Sequence, residues 1–151
     1  TINPNRYKRY QDWSKSFMYS LHETYFLVEK RLEHCLTENG GITFSQFLIF
    51  LPLHCGDEVS QSDVATFLHL TEATVSRHIA TMARDGLLTK KEVTGNRRKH
   101  TLTFTPKGSA AFKKAHTIIE NELKEIFAVI PEKDRAKISH TFDTVLTTLI
   151  N

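Results

Sequence analysis

The sequence predicts a mainly α-helical fold with a small β-hairpin. Apolar residues recur at every third or fourth position in six segments, the spacing that places them on one face of a helix. Leu102 and Phe104 alternate with threonines, as in a half-buried strand, and Gly95-Asn96 supplies turn residues before them. No segment repeats with a period of roughly 20 to 50 residues, so a repeat architecture is not expected.

Two helical patterns open the chain. The first follows Pro4 and ends at Gly40-Gly41, with an apolar stripe formed by Tyr10, Trp13, Phe17, Leu21, Tyr25, Val28, Leu32 and Cys35. Thr43 is predicted to cap the second helix, whose apolar face is expected to contain Phe44, Phe47, Leu48 and Leu51. Because proline gives no N–H to the helical ladder, Pro52 is expected to kink or shorten this helix.

A pair of short helices follows. Ser60 is predicted to cap a helix from Gln61 to about Leu68, and Thr71 a helix from Glu72 to Asp85. Gly86 stands where a left-handed residue ends a helix. Leu70 is expected to fill the turn, and Ala65 is small where the two helices approach. The residues expected to pack inside are Val64, Leu68, Val75, Ile79 and Met82. Two short helices joined by a tight turn predict a helix-turn-helix.

The hairpin and two further helices complete the chain. Strands are predicted at Leu87–Val93 and Lys99–Phe104, joined by a loop of residues 94–98. Thr105-Pro106 is typical of an N-cap followed by the first residue of a helix, and it opens a long fifth helix that Pro131 ends. The sixth helix has an apolar face of Ile138, Phe142, Val145, Leu146 and Leu149.

Composition excludes several classes of protein. With 151 residues, 40% hydrophobic and 25% charged, the chain is long enough for one domain and differs from disordered and fibrous proteins. No apolar run approaches the roughly 18 residues of a membrane span, and the polar, basic start does not resemble a signal peptide. A soluble cytoplasmic protein is therefore expected. Cys35 and Cys55 do not make a disulfide framework, so two buried, reduced thiols are expected.

Basic charge is concentrated in one segment of a nearly neutral chain. The net charge is only +3, yet residues 84–107 hold seven basic side chains against the acids Asp85 and Glu92. The basic residues are Arg84, Lys90, Lys91, Arg97, Arg98, Lys99 and Lys107. Such a segment is typical of a face that binds a polyanion, although charged runs also occur as plain solvated surface.

The second helix of the helix-turn-helix has the composition of a base-reading element. In this motif the N-terminal residues of that helix face the major groove of DNA. Arg77 can donate two hydrogen bonds to guanine O6 and N7, while Thr74 and Ser76 can serve bases or phosphates. The side chains opposite the apolar stripe are Glu72, Ala73, Ser76, Arg77 and Ala80. On this pattern alone, an ordinary solvated helical hairpin remains an equal alternative.

The hairpin favours DNA binding. Its predicted loop carries Arg97-Arg98 and is followed by Lys99 and His100. Arginine at a loop tip suits a narrow minor groove, where the electrostatic potential is most negative. The two elements together predict a winged helix-turn-helix that binds double-stranded DNA. The residues predicted to contact it are Ser60, Thr71, Glu72, Ala73, Thr74, Ser76, Arg77, Thr81, Lys90, Asn96, Arg97 and Arg98.

These segments resemble the MarR family of transcriptional regulators. The resemblance rests on the runs VATFL, TEATVSR, DGLL, NRR and LTFTPKG, which occur in this order between Val64 and Gly108. The flanking helices match in order and length. The resemblance implies one domain over residues 1–151, with a DNA-binding lobe at 43–108 and a helical dimerisation region formed by 4–38 and 109–151.

The resemblance also implies a function. It implies a homodimer that binds a palindromic operator, represses transcription and is released by a small effector. Arg98 matches the wing arginine that enters the minor groove, and Arg77 matches the recognition helix. Three positions depart from the family pattern: Asn96 replaces an aspartate that braces the arginine, His69 replaces a glycine in the turn, and Pro52 stands near the end of the second helix. The apolar stripes of the first and last helices independently predict a homodimer, because one small lobe cannot bury them.

Alternative functions would use other residues or would leave the arginines without a role. A redox-responsive regulator of the same fold would use Cys35, which has His34 beside it and Arg31 one turn earlier. A metal-responsive regulator would draw on Glu23, His34, Cys35, His54, Cys55 and His116, but their spacing lacks a tight ligand motif, so we predict no metal and no cofactor. A winged-helix protein-interaction module would not need the arginines. An enzyme is not predicted, because the sequence has no nucleophile elbow, phosphate-binding glycine loop or paired-histidine motif.

Overall fold

The computed structural model describes residues 12–56, 58–93 and 96–150, and gives the backbone alone at positions 92, 93 and 96–100. Its elements are α1 (Trp13–Cys35), a π-helical turn (Leu36–Gly40), α2 (Phe44–Cys55), β1 (Val59–Ser60), α3 (Gln61–Leu68), α4 (Glu72–Arg84), β2 (Leu88–Val93), β3 (Asn96–Phe104), α5 (Pro106–Phe127) and α6 (Glu132–Ile150). The predicted order of helices and hairpin is confirmed. Over the described ranges, no helix is long and apolar enough to cross a membrane.

The chain divides within α5 into two compact units. The first comprises residues 1–119 and holds α1 to α4, the sheet and the start of α5, whereas the second comprises residues 120–151. The core lies in the first unit, and burying each large apolar side chain contributes about 1.5–3 kcal/mol. Its largest fully buried side chains are Leu36, Ile49, Phe50, Val64, Val75, Ile79, Met82 and Leu88.

α1 is capped at its start and mostly exposed along its length. The Asp12 carboxylate accepts hydrogen bonds from the Ser14 hydroxyl (2.6 Å) and N–H (3.0 Å), and these bonds hold the pKa of Asp12 below its ordinary value. Leu32 is the one buried residue among those of α1. The predicted stop at Gly40-Gly41 is confirmed, with Gly41 in the left-handed conformation at a φ of 74°.

α2 begins with a capping box and runs past its proline. Thr43 Oγ1 accepts the Gln46 N–H (3.2 Å), and the Gln46 side chain accepts the Thr43 N–H (3.0 Å). Of the two outcomes expected at Pro52, shortening is wrong, because α2 continues to Cys55. The Gly56 N–H closes the last turn on the Pro52 carbonyl (3.1 Å), so the proline removes only one backbone hydrogen bond near the helix end.

The buried face of α2 differs from the predicted one. Leu48 and Leu51 are only half-buried, whereas Ile49, Phe50 and Leu53 are buried. α2 packs against α1, α3, α4 and β3, so most of its circumference is covered. Periodicity identifies a single apolar stripe, and it fails for a helix that is surrounded by other elements.

α3 and α4 form the predicted helix-turn-helix. Ser60 and Thr71 cap the two helices, and Gly86 is left-handed after α4, all as expected. His69 also takes the left-handed conformation, with a φ of 54°, which no other non-glycine residue does in the described ranges. The expectation that Leu70 fills the turn is wrong: the left-handed turn leaves this side chain at the surface, 44% exposed.

The hairpin is part of a three-stranded antiparallel sheet with the order β1-β3-β2. The sequence predicted two strands, and β1 is the addition: Val59 pairs with Leu102, and Ser60 pairs with Thr101. A strand of two residues is too short to show alternation, so it leaves no pattern in the sequence.

β3 begins earlier than predicted. It starts at Asn96 rather than Lys99, which places Arg97 and Arg98 in a strand instead of a loop. Pairing with β2 extends the strand toward the tip, an interaction that local sequence preferences do not report. Of the predicted loop, residues 94–95 lie outside the described residues.

α5 begins at Pro106 after its Thr105 cap, as predicted. Thr105 Oγ1 accepts the Gly108 N–H (2.9 Å) and donates to the Gly86 carbonyl (2.6 Å), so it caps α5 and ties it to the end of α4. α5 ends at Phe127, and Pro131 precedes α6. All nineteen residues of α6 are described, and none of them is buried.

The burial of the two cysteines differs from the expectation. Cys55 is exposed and Cys35 is half-buried, and neither forms a disulfide. The prediction of two buried thiols is therefore wrong. Both residues stand at helix ends, where the chain turns away from its neighbours and fewer atoms cover a side chain.

Candidate DNA interface

The outward face of α4 carries small and basic side chains. Val75, Ile79 and Met82 are fully buried, which sets the rotation of the helix about its axis. Residues three and four positions apart lie on one side of a helix, so the opposite face comprises Ala73, Ser76, Arg77 and Ala80. All four are exposed except Ser76, which is half-buried. Small neighbours around Arg77 leave room for a base edge to approach the helix.

Three side chains in the first turn of α4 form a hydrogen-bonded chain. Thr71 Oγ1 accepts the Thr74 N–H (3.3 Å) and lies 3.0 Å from Thr74 Oγ1. Arg77 Nη2 donates to the same Thr74 oxygen (3.4 Å). The chain brings together three of the residues predicted from the sequence, and it holds one edge of the guanidinium against the helix.

A second set of contacts joins α4 to α3. Gln61 Nε2 donates to the backbone carbonyl of Glu72 (3.3 Å), and Ser62 Oγ donates to Glu72 Oε1 (3.1 Å). The Glu72 carboxylate, predicted to face DNA, thus has a partner within the protein. Gln61 and Ser62 were not predicted as site residues from the sequence. Their position in the first turn of α3 was the signal that could have identified them.

Ser60 acts first as a capping residue. Its Oγ accepts the Asp63 N–H (3.2 Å) and donates to Asp63 Oδ2 (2.6 Å), while the Ser60 N–H donates to the same carboxylate (2.8 Å). The hydroxyl proton is therefore in use. Phosphate oxygens only accept hydrogen bonds, so Ser60 would have to release Asp63 before it could bind one.

The body of the wing is formed by β2 and β3. Lys90, a predicted contact, is exposed on β2. Thr89 and Thr103 face each other across the two strands with their hydroxyl oxygens 2.8 Å apart. Thr81, another predicted contact, is half-buried on α4. These residues lie on three different elements of the lobe, and none is buried.

The tip of the wing has an irregular register. Val93 pairs with Asn96, whereas Glu92 pairs with His100, so residues 97–99 fall between the two pairs. Extra residues in one strand increase its twist and change the direction of its side chains. The side chains of Asn96, Arg97 and Arg98 themselves lie outside the described part of the chain.

Arg84 extends the basic face beyond the predicted contacts. It follows Arg77 by seven residues, which is close to two helical turns, and it is exposed. Its Nε donates to Asp85 Oδ1 (3.1 Å) in an exposed ion pair, a type of contact that contributes little stability. The spacing of seven was the signal in the sequence that this residue shares the face.

Comparison with known protein families agrees with this winged helix-turn-helix geometry. The sequence model of the MarR family matches residues 35–100, which run from the end of α1 into β3. The chain carries a MarR-family domain. Proteins of the MarR family are transcriptional regulators rather than enzymes, and this chain is a transcriptional regulator with a DNA-binding winged helix-turn-helix. The resemblance found in the sequence motifs is confirmed.

Individual relatives of the MarR-family domain agree in fold. The HTH-type transcriptional regulator BilQ of Clostridium symbiosum is 23% identical, over 70% of this chain and 83% of that protein. AbsC of Streptomyces coelicolor, a MarR-family transcriptional regulator, superposes with a TM-score of 0.81 at 19% identity, over 93% of this chain and 97% of AbsC. The transcriptional repressor CouR bound to a 23-mer DNA duplex superposes with a TM-score of 0.80 at 18% identity, over 97% and 99% of the two chains.

A groove opens beside α1 in the first unit. It lies between α1 and α2, has a volume of about 270 Å³, and is lined by Phe26, Glu29, Lys30, Glu33 and Ser45. The Glu33 carboxylate also accepts the Phe44 N–H, so the groove stands where the two helices are tied together.

The metal-ligand candidates do not assemble into one cluster. Among the described side chains, no group of three or more histidine, cysteine or acidic residues could hold an ion. The rings of His54 and His116 lie with their centroids 6.5 Å apart, and both rings contact Phe112. The structure thus places two of the six candidates beside an aromatic ring.

Proposed function

We propose that this protein is a repressor that binds a palindromic operator as a homodimer and is released by a small effector. The observation that carries the proposal is the exposed face of α4, on which Arg77 stands among small residues. In this arrangement α4 enters the major groove, and the wing follows the backbone into the minor groove.

Exposed apolar side chains support the homodimer. On α1, Trp13, Met18, Tyr25 and Phe26 are each more than half exposed, at 75%, 60%, 59% and 57%. On α6, the most exposed are Leu146, Leu149 and Ile150, at 52%, 75% and 76%. Monomeric proteins rarely present apolar surface on this scale, and a second copy of the chain is the occupant that covers the same helices symmetrically.

A two-fold dimer determines the form of the operator. It presents two copies of α4, which read half-sites about 10 base pairs apart on one side of the duplex. The 23-mer bound to CouR is slightly longer than two helical turns, the length that two such lobes need. CouR is a repressor, and we infer the same outcome here: the bound dimer blocks transcription of the DNA it covers.

The groove between α1 and α2 supports release by an effector. A ligand held by Phe26 and Lys30 of α1 together with Ser45 of α2 would fix the relation between a dimer helix and the DNA-binding lobe. A ligand that prefers the conformation with low DNA affinity weakens DNA binding by the same factor by which DNA weakens ligand binding. Thermal-shift screening of ligands, metals and oxidants, with and without operator DNA, tests this reciprocity.

Binding of a selected operator by an Arg77 variant tests the whole proposal. The operator is first isolated from a pool of random duplexes by the wild-type protein. Arg77→Ala should then cost about 1–3 kcal/mol on the operator and relax discrimination at one base pair of each half-site. Lys113→Ala removes an exposed cation outside α4 and the wing and serves as the control. Equal affinity of Arg77→Ala and wild type would defeat the proposal.

A further inference from the structure

We propose that Thr74 is a positioning residue, which sets the guanidinium of Arg77 for reading guanine. The inference rests on the proposed function of α4 as the base-reading helix. It begins with the hydrogen bonds of the first turn, where the Thr74 hydroxyl stands between the capping oxygen of Thr71 and Nη2 of Arg77.

The hydrogen-bonding capacity of the two threonines determines how they are used. Thr71 Oγ1 accepts the Thr74 N–H and also contacts Thr74 Oγ1 at 3.0 Å, where either hydroxyl can be the donor. Thr74 Oγ1 accepts from Arg77 Nη2 in either case, because it has two lone pairs, so the guanidinium keeps this oxygen as its partner.

The contact restricts an otherwise mobile side chain. Arg77 is exposed, and no described atom other than Thr74 Oγ1 accepts a hydrogen bond from its guanidinium. A guanidinium has five N–H donors, and the bond to Thr74 uses one of them, so a full bidentate edge remains. Holding the group in place before binding reduces the entropy lost when DNA is bound.

The same hydrogen-bonding pattern predicts which base is preferred. A protonated arginine presents an edge made of donors alone. Guanine presents two acceptors, N7 and O6, in the major groove, whereas cytosine and adenine place amino donors there. The pair therefore favours guanine, and Thr74 contributes to the preference through the orientation of Arg77.

Two variants of Thr74 separate the hydroxyl from the shape of the side chain. Thr74→Val keeps the branched shape and the N–H that Thr71 caps but loses the hydroxyl, whereas Thr74→Ser keeps the hydroxyl. Thr74→Val should weaken operator binding about fivefold for each half-site, the size of one hydrogen bond, and Thr74→Ser should stay within about twofold of wild type. Thr66→Val, at an exposed threonine of α3, is the matched control.

The deciding measurement is a double-mutant cycle followed by fluorescence anisotropy. If Thr74 acts through Arg77, Thr74→Val should add less than about twofold in the Arg77→Ala background. Replacing the guanine that Arg77 reads by 7-deazaguanine, which lacks the N7 acceptor, should weaken the wild type more than Thr74→Val. Circular dichroism and thermal melting establish that each variant is folded.

Each result has a definite meaning. A loss of about fivefold from Thr74→Val in both backgrounds would show that Thr74 binds DNA by itself, which overturns this inference and leaves the proposed function intact. A loss for Thr74→Ser equal to that for Thr74→Val would show that shape matters and not the hydroxyl, which also overturns the inference. Wild-type affinity of Arg77→Ala alone would overturn both the inference and the proposed function.

Discussion

The backbone of Gly108 passes so close to Leu87 that a β-carbon at position 108 would lie 1.7 Å from the Leu87 carbonyl oxygen. The Thr105 N–H donates to that same oxygen (3.2 Å). The two contacts join the start of α5 to the residue that leads into the wing. Since no side chain fits at position 108, the close approach requires glycine.

Gly108→Ala should be strongly destabilising for this reason. We expect a loss of about 3 kcal/mol or more in the free energy of unfolding, the upper range for overpacking against rigid backbone. Gly86→Ala is the matched control, because Gly86 has a φ of 73° but open space around its missing β-carbon; its cost should be about 1–2 kcal/mol. Urea unfolding at one fixed protein concentration measures both, and equal losses would contradict the steric explanation.

His69→Gly should stabilise the protein. His69 is exposed and holds a φ of 54°, a conformation that is unfavourable for a residue with a β-carbon. Glycine removes this strain but has a more flexible unfolded state, so we expect a net gain of up to about 1 kcal/mol. His69→Ala keeps the strain and should show no gain. A lower melting temperature for His69→Gly would mean that the histidine ring contributes a contact stronger than the strain.

Arg98 should respond to the shape and charge of DNA rather than to one base. Its strand leaves regular pairing at the wing tip, where Glu92 pairs with His100. Arg98→Ala should weaken operator and scrambled duplex to similar degrees and reduce the salt slope by about one for each phosphate that Arg98 neutralises. Titration of both duplexes at several salt concentrations tests this. An unchanged affinity and salt slope would show that the wing is not part of the DNA interface.

The dimer should depend on the apolar residues of α6. Wild-type protein should sediment at twice the chain mass of 17.4 kDa at micromolar concentration. Leu149→Glu places a charge where the side chain is 75% exposed in the single chain, and it should shift the protein toward monomer. Thr144→Glu adds the same charge on the polar side of the helix and should not. A monomeric wild type would contradict the proposed assembly.

The two thiols should differ in reactivity. Cys55 is exposed and Cys35 is half-buried, so an aromatic disulfide reagent should modify Cys55 first, and Cys55→Ser should lose the fast phase. Neither thiol is expected to matter for DNA binding in reducing buffer. Release of DNA by peroxide from wild type and Cys55→Ser, but not from Cys35→Ser, would instead establish Cys35 as a redox sensor.

Local signals in the sequence predicted most helix boundaries correctly. The caps at Thr43, Ser60, Thr71 and Thr105 and the left-handed Gly86 were all found from residue type and position. Each of these works through hydrogen bonds or backbone preferences within about four residues, so the neighbouring sequence contains the whole interaction. The outward face of α4 was also predictable, because one fully buried stripe determines which residues remain outside.

Contacts between distant segments decided the rest. β1 exists because Val59 meets Leu102, and β3 starts at Asn96 because β2 lies beside it. The left-handed His69, the exposed Leu70 and the Thr71–Thr74–Arg77 chain are local features. They depend on turn geometry and side-chain rotamers, which residue type alone does not specify. The sequence by itself determined the element order, the caps and the residues available for DNA binding, because these depend on nearest neighbours. Only the tertiary structure decided strand limits, burial and the hydrogen bonds between α3 and α4, because they depend on distances between residues far apart in the chain.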